Sequence, residues 1–444
     1  MDVILTVPLH LLQTIFGTIA GEVAASTQFV RRQGKINAAA FARVFCLGLV
    51  RLPKASLEQL GAELRVTASA LCQRIQQPAT AQFLRALLTK ALGHLTTMAA
   101  RRSTVIPLLR RFRGVYLSDS TTLTLPASLA RTFAGCGGGA GSDDPAAAAA
   151  AKVLLRIDLE TGQATDVHLG AARTPDIRLL RQLPALPPGA LHIADLGFFD
   201  ADYLAGLTAA LVWWLTRLPA RICVRGTAGW QELADWLTGL ANTDVTHWDG
   251  RLEVGKLSPV RARVLVERCP PEMAARRRQA LYDRMRKKGK TPGRRQLVLC
   301  DWWVLATNLP PERLRPAEAS ALYRSRWQLE LVFKRWKSIG QLSVRAELSA
   351  ARAECELYGR LLGVLVVNWL ALTRGGPLAG HSVWRAWQVV WEMLDRIVLA
   401  LAGVIPWDVV RGLLANRLDR IAKQPRRKKR PSTRQRLLRT KVKA

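Results

Sequence analysis

The run Leu191-His-Ile-Ala-Asp195-Leu-Gly197-Phe-Phe199 constrains the fold more than any other stretch of the chain. A short, mostly apolar segment that stops at a carboxylate and a glycine reads as a strand entering a turn. A helical stretch follows from about Asp200, and Leu211 to Arg217 is the next strand. Strand, helix and strand at this spacing fit an α/β sheet. Such sheets gather ligands at the carboxyl ends of their strands, which gives Asp195 a functional position. Taken singly, such a carboxylate is more often a cap or turn residue than a ligand.

A second segment has the same form. Gly114 to Leu125 alternates apolar and polar residues, and Asp119 lies just past its most apolar portion. Between the two aspartates, Lys152 to Asp158 and Ala164 to Leu169 flank Glu160-Thr-Gly162 and predict a hairpin. The Gly/Ala-rich stretch from Cys136 to Ala151 reads as a loop, with Asp143 and Asp144 as solubilising residues. Arg178 to Leu186 is a short helix or loop. The pattern changes from about 221 to 300, where strand-like pieces at Asp244 to His247 and Ala262 to Arg268 accompany a basic helical run, Glu272 to Lys290. This is expected to be an inserted subdomain with a cationic surface. The α/β pattern resumes over Leu297 to Pro310, and 348 to 402 predicts two further helices.

Tyr323, Arg326, Glu330 and Lys337 follow at steps of 3, 4 and 7. At about 100° per residue these steps bring four side chains to one helical face. A phenol, a guanidinium, a carboxylate and an ammonium together suit a phosphodiester held beside a carboxylate-bound metal ion. The alternative is a solvated face of i,i+3 and i,i+4 ion pairs. The first 112 residues read as helical. Within them Ser56 to Ile75 has the form of a helix-turn-helix: Ser56 caps the first helix, Arg65 and Val66 make the turn, and Ala68 to Gln76 offers Ser69, Gln73 and Arg74 to DNA. Two short packed helices without DNA contact would carry the same pattern.

Charge narrows the partner. The chain has 66 Lys and Arg against 33 Asp and Glu, a net charge of +33. A polyanion is the partner such an excess favours. The tail from Lys423 to Lys443 is rich in Lys and Arg, has no acid, and reads as a disordered arm that seeks phosphate. Seven scattered cysteines with no CxxC pair argue against a disulfide framework or a zinc cluster. The apolar N-terminus opens with Asp2 and has no basic n-region, so it fits a signal peptide poorly. Leu361 to Thr373, though uncharged, is too short to span a bilayer. A soluble protein without a membrane partner is the expectation.

Asp119, Asp195 and Glu330 lie on separate predicted core elements, and three such carboxylates can hold two divalent ions. At this point the sequence resembles the DDE transposases of bacterial insertion sequences, specifically the insertion sequence 4 type. Their Tyr-(2)-Arg-(3)-Glu-(6)-Lys pattern matches Tyr323, Arg326, Glu330 and Lys337. The resemblance runs from about 113 to 375 and includes LSDSTTL, HIADLGFF, KVLLRIDLETGQATDVHL and WWVLATNLP. It implies an α/β fold with an RNase H-like catalytic core interrupted by an inserted subdomain, and helical N-terminal and C-terminal regions. The corresponding divisions are 1–112, 113–220, 221–295, 296–375, 376–422 and the tail 423–444. It implies Asp119, Asp195 and Glu330 as catalytic metal ligands for two Mg²⁺ ions, with Mn²⁺ as a substitute. Tyr323, Arg326 and Lys337 would contact phosphates, and Trp303, with Trp302 as the alternative, would stack on a flipped base.

The implied function is a transposase that cuts at terminal inverted repeats and joins the 3′ ends to target DNA. Its partners would be double-stranded DNA, at the element's ends and at the target, and a second copy of the chain in a synaptic homodimer. Its place would be the bacterial cytoplasm, at the nucleoid. Two competing functions are a metal-dependent nuclease on the same core and a non-catalytic DNA-binding relic.

Overall fold

Every position of Leu191–Ala194 is buried, and this strand, β4, stands between two parallel neighbours. In a computed structural model of the protein, Val115–Thr124 (β1) pairs with it from Val115↔Leu191 to Ser118↔Ala194. Trp213–Arg217 (β5) pairs from Leu191↔Trp213 to Ile193↔Leu215. Parallel strands need a crossover, and Ala201–Ala209 is the helix between β4 and β5. Asp200 caps it, accepting from Tyr203 N at 2.8 Å. The structure describes residues 10–30, 35–98, 106–137, 148–243, 245–287, 289–345, 347–373, 375–378, 381–422 and 431–439.

Two compact units make up the chain. One comprises Met1–Thr104, Asp119–Leu183 and Trp327–Arg434; the other comprises Val105–Ser118, Pro184–Arg326 and Gln435–Ala444. Strand β1 contributes to both.

In the second unit the strand order is β1-β4-β5-β10-β9-β8-β6-β7. The strands beyond β5 are Cys223–Gly226 (β6), Gly229–Glu232 (β7), His247–Val254 (β8), Val260–Arg268 (β9) and Trp302–Thr307 (β10). All of these pair antiparallel, and β10 joins β5 at Ala306↔Thr216 and β9 at Leu305↔Leu265. The stretch expected as an insertion therefore adds strands to this sheet. Trp214, Leu237, Val264 and Trp302 lie in its core. The basic helix is present as Pro271–Arg286, with proline at its first position, where no intrahelical donor is lost. Two details differ from expectation. Leu297 and Val298 end a short helix, Arg294–Val298, and the strand starts only at Trp302. The piece expected at Asp244 to His247 begins at His247, while Asp244 lies outside the described residues.

In the first unit the order is β3-β2-β1, with Ala150–Asp158 (β2) and Ala164–Ala171 (β3) forming the expected hairpin. Gly162 in its turn has φ 72°, a conformation open to glycine. The helix Ala350–Ala371 is buried on all sides from Cys355 to Ala371, which explains why its end is uncharged although it does not span a membrane length. It packs against Pro78–Met98 and against a π-helical turn, Val44–Gly48. A Cβ at Gly363 would stand 2.0 Å from the Cys46 carbonyl oxygen, and one at Gly359 would stand 2.5 Å from that of Phe45. Two helices thus meet backbone to backbone. After it come Val383–Glu392, Leu394–Leu401 and Trp407–Ile421. The region 348 to 402 therefore holds three helices, because Met393 (φ −98°, ψ 1°) interrupts the second.

No described helix is long and apolar enough to cross a membrane. All seven cysteines are free. The loop aspartates Asp143 and Asp144 and residues 423–430 and 440–444 of the tail lie outside the described residues. Part of the tail is nonetheless ordered: Thr433–Arg439 is helical, where a disordered arm was expected.

Candidate active site

Asp195 sits one residue past β4, at the point where the chain enters the 3-10 turn Leu196–Phe198. Its carboxylate makes no capping bond to that turn, unlike that of Asp200 five residues later. It is engaged instead by residues from the far end of its unit. The Tyr323 phenol donates to Asp195 Oδ1 at 3.1 Å, and Arg326 Nε lies 3.7 Å from the same oxygen. Tyr323 is the last-but-one residue of the helix Pro316–Arg324. Burial, reinforced by the negative charge of Asp195, pushes its phenol well above the usual tyrosine range. The phenol is therefore a hydrogen-bond donor at any ordinary pH.

Arg217, which opposes that shift, is a member of this cluster that sequence reasoning missed. The signal was available. Ile193 pairs with Leu215 on the parallel neighbour, and Arg217 follows Leu215 by the same two residues that separate Asp195 from Ile193.

The expected single helix from Tyr323 to Lys337 is broken. The helix Pro316–Arg324 ends at Ser325, and a second helix runs from Trp327 to Ser338. Ser325 is fully buried, and its hydroxyl donates back to Ala321 O at 3.1 Å. Such back-bonding bends helices. Ser325 N→Leu322 O and Arg326 N→Tyr323 O, at 2.9 and 3.1 Å, close the last turn with i→i+3 bonds. Tyr323 and Arg326 accordingly belong to the second unit, while Glu330 and Lys337 share the helix in the first. Glu330 occupies that helix's first turn, where a carboxylate is favoured by the helix dipole. Lys337 Nζ donates to Thr122 O of β1 at 2.9 Å.

Asp119 is half-buried on β1, and its Oδ1 accepts from Ser120 N at 2.8 Å. The Ser120 hydroxyl donates to Asp176 at 2.7 Å, and Lys152 holds Asp176 at 3.1 Å. Asp176 and Lys152 are further polar neighbours that local sequence patterns did not mark. The hard oxygen donors of Asp119, Asp195 and Glu330 suit a divalent ion chemically. Among the described residues, however, no three His, Cys, Asp or Glu side chains gather into a group able to hold a metal.

The two tryptophans of β10 have different surroundings. Trp302 is 2% exposed and lies in the core. Trp303 is half-buried beside a cavity of about 140 Å³ that is also lined by Trp248, Leu265 and Pro316. The guanidiniums of Arg277 and Arg324 lie 4.6 and 5.7 Å from its ring centre. Arg277 also donates to Trp302 O at 2.9 Å and Leu299 O at 2.8 Å, tying the basic helix to this strand. Arg276, Arg284 and Arg286 remain exposed on that helix.

In the N-terminal region, helices Leu57–Leu64 and Ala68–Gln76 flank a turn at Arg65 and Val66. Ser56 and Gln59 form a reciprocal capping box. Ser69 and Gln73 are exposed. Arg74 is half-buried: its Nη1 donates to Phe29 O at 2.8 Å, and its guanidinium lies 5.2 Å from the Phe29 ring centre.

The family described as "Transposase DDE domain" matches residues 110–366, more than half of the chain. The transposase for insertion sequence element IS231B of Bacillus thuringiensis subsp. berliner is 25% identical over 377 residues, covering 78% of this chain and 76% of that protein. The transposase for IS1151 of Clostridium perfringens is 24% identical over 383 residues, covering 79% and 77%. A piggyBac transposase synaptic complex with hairpin DNA aligns with a TM-score of 0.44 at 9% identity, over 93% of this chain and 85% of that one. The chain belongs to the DDE transposase family and is a DNA transposase of the insertion-sequence kind.

Proposed function

We propose that the protein cleaves DNA at the terminal inverted repeats of its insertion sequence and joins the freed 3′ ends to target DNA, as a transposase of the insertion sequence 4 type. The observation that carries this reading is the meeting of Asp195 with Tyr323 and Arg326. Two residues of the family pattern, Tyr323 and Arg326, remote in sequence from Asp195, converge on its carboxylate, which makes no capping bond. The reading takes the sheet as an RNase H-like core, with 221–295 as its insertion. Asp119, Asp195 and Glu330 are its catalytic carboxylates; Tyr323, Arg326 and Lys337 are its phosphate-binding groups; and Trp303 is its base-stacking residue. Trp302 is set aside because the core covers it.

The side chains have distinct tasks in this chemistry. Arg326 lies beside Asp195, with Nε 3.7 Å from Oδ1, and a guanidinium has the fork geometry that grips phosphodiester oxygens. Tyr323 remains protonated, so it donates a hydrogen bond and does not act as a base. Bound Mg²⁺ ions, or Mn²⁺ in their place, would supply activation of the attacking oxygen and stabilisation of the leaving oxygen. The working assembly is a homodimer on double-stranded DNA in the bacterial cytoplasm, at the nucleoid.

The test is incubation of the purified protein with Mg²⁺, a plasmid, and DNA carrying the flanking inverted repeats. Excision followed by insertion into the plasmid supports transposition. Cleavage without joining favours a nuclease on the same core. The absence of any metal-dependent cleavage would leave a DNA-binding relic.

A further inference from the structure

We infer that a recess beside the helix Ala68–Gln76 grips backbone phosphates of duplex DNA through Lys35 and Arg65; the inference rests on the chain being one that acts on DNA. The recess holds about 510 Å³ and is lined by Lys35, Arg65, Ala70, Gln73, Arg74 and Gln77 among others, with no Asp or Glu in its described lining. Three cations around one concavity without a carboxylate form a surface made for an anion.

The cations are not equivalent. Arg74 is half-buried and fixed as a wall, donating to Phe29 O at 2.8 Å and to Gln77 Oε1 at 3.3 Å. Lys35 and Arg65 are exposed at the mouth. Arg65 is also the residue that ends the helix Leu57–Leu64, with φ 56° and ψ 40° in the left-handed region. Glycine is the residue helices favour at such a position, since any Cβ there is crowded. An arginine at a backbone position suited to glycine is explained by its side chain, and that side chain lines the recess. Gly61, in the preceding turn, is constrained in the opposite sense. A Cβ there would stand 2.7 Å from Val66 O, so the two helices close tightly and hold Arg65 at the rim.

A duplex fits this place better than a small anion. The exposed Gln73 lines the recess, one helical turn from the exposed Ser69, and DNA presents a charge about every 1.7 Å along its axis. Lys35 and Arg65 therefore join the DNA contact, with Arg74 as the fixed wall of the recess.

The experiment measures binding of the full chain in EDTA to two duplexes of equal length, one carrying the inverted repeat and one unrelated, across a salt series. Arg65→Gly is expected to match or exceed the thermal stability of the parent, because glycine relaxes the left-handed turn. Its affinity for both duplexes should fall by a similar factor, about three- to tenfold, and the salt slope should drop by about one. Lys35→Ala should do the same. Arg65→Asn, also tolerated at this φ, guards against an unexpected folding effect. Unchanged affinity and slope in Arg65→Gly would overturn the inference, as would a loss confined to one sequence, which signals base readout. Pyrophosphate at constant ionic strength is the other arm. If it stabilises the parent but not Arg65→Gly, the recess takes free anions and the duplex assignment fails. Binding in EDTA needs no strand chemistry, so this result stands or falls separately from cleavage.

Discussion

Tyr323 lies 128 positions after Asp195, and its phenol donates to the Asp195 carboxylate at 3.1 Å. Two loci that look independent along the chain are one polar cluster in the fold. Arg326 shares the same carboxylate oxygen.

Tyr323→Phe removes the donor and keeps the ring. A hydrogen bond to a charged group contributes about 1.5–3 kcal/mol, so end cleavage should slow by roughly tenfold or more while DNA binding persists. The pH dependence follows from the raised phenol pKa. A group whose folded pKa exceeds its unfolded value adds stability that is intact below about pH 10 and declines as pH rises beyond it. Alkaline denaturation monitored by circular dichroism should therefore begin at higher pH in Tyr323→Phe. Coincident curves for the two proteins would show that the phenol titrates as it does in the unfolded chain.

Single Ala substitutions at Asp119, Asp195 and Glu330 should each abolish strand cleavage and leave duplex binding within about twofold. Gel assays with Mg²⁺ and with EDTA separate the two readouts. Full cleavage by any one of the three would remove that residue from the catalytic set.

Glu356 is fully buried within its helix and is held by Arg352 at 3.0 Å and Arg360 at 2.8 Å. Those arginines also donate to the carbonyls of Ala55 and Pro53, just ahead of the capped Ser56. Glu356→Gln leaves buried cations without their counter-charge, which should destabilise the protein by about 3–5 kcal/mol. Amide hydrogen exchange should rise from Lys54 to Leu64 as well as around the helix itself. Wild-type protection there would show that the cluster does not hold this segment.

Gly363→Ala places a Cβ where the Cys46 carbonyl already stands, 2.0 Å away. The neighbour is backbone and cannot swing aside, so a loss of about 3 kcal/mol is expected, read as a lower chemical-denaturation midpoint. Alanine at Gly412, where nothing lies within 4 Å, is the control and should be neutral or stabilising.

Arg277→Ala should loosen the basic helix, because that guanidinium donates to Trp302 O and Leu299 O and lies over Trp303. Limited proteolysis between Pro271 and Leu299 should accelerate while the remaining fragments stay intact.

Short-range patterns determined much of this protein. β4 ends where an apolar run meets Asp195, the capped pair at Ser56 to Gln76 has the boundaries its capping and turn residues predict, and the β2–β3 hairpin turns at Gly162. Such features depend on neighbours a few residues away, so one sequence suffices to find them. The tertiary structure decided what each charged or aromatic side chain is for. The apparent Tyr323–Lys337 helix is broken at Ser325, whose hydroxyl turns back to Ala321 once the surroundings bury it. Arg74 and Arg277 look like free cations in the sequence, but each is held by a carbonyl remote in the chain, Arg74 by Phe29 and Arg277 by Trp302. Trp302 and Trp303 are adjacent letters on opposite faces of a strand, and only the packing of that sheet covers one and leaves the other half-exposed. Periodicity places a residue on a face; long-range contacts decide what that face meets.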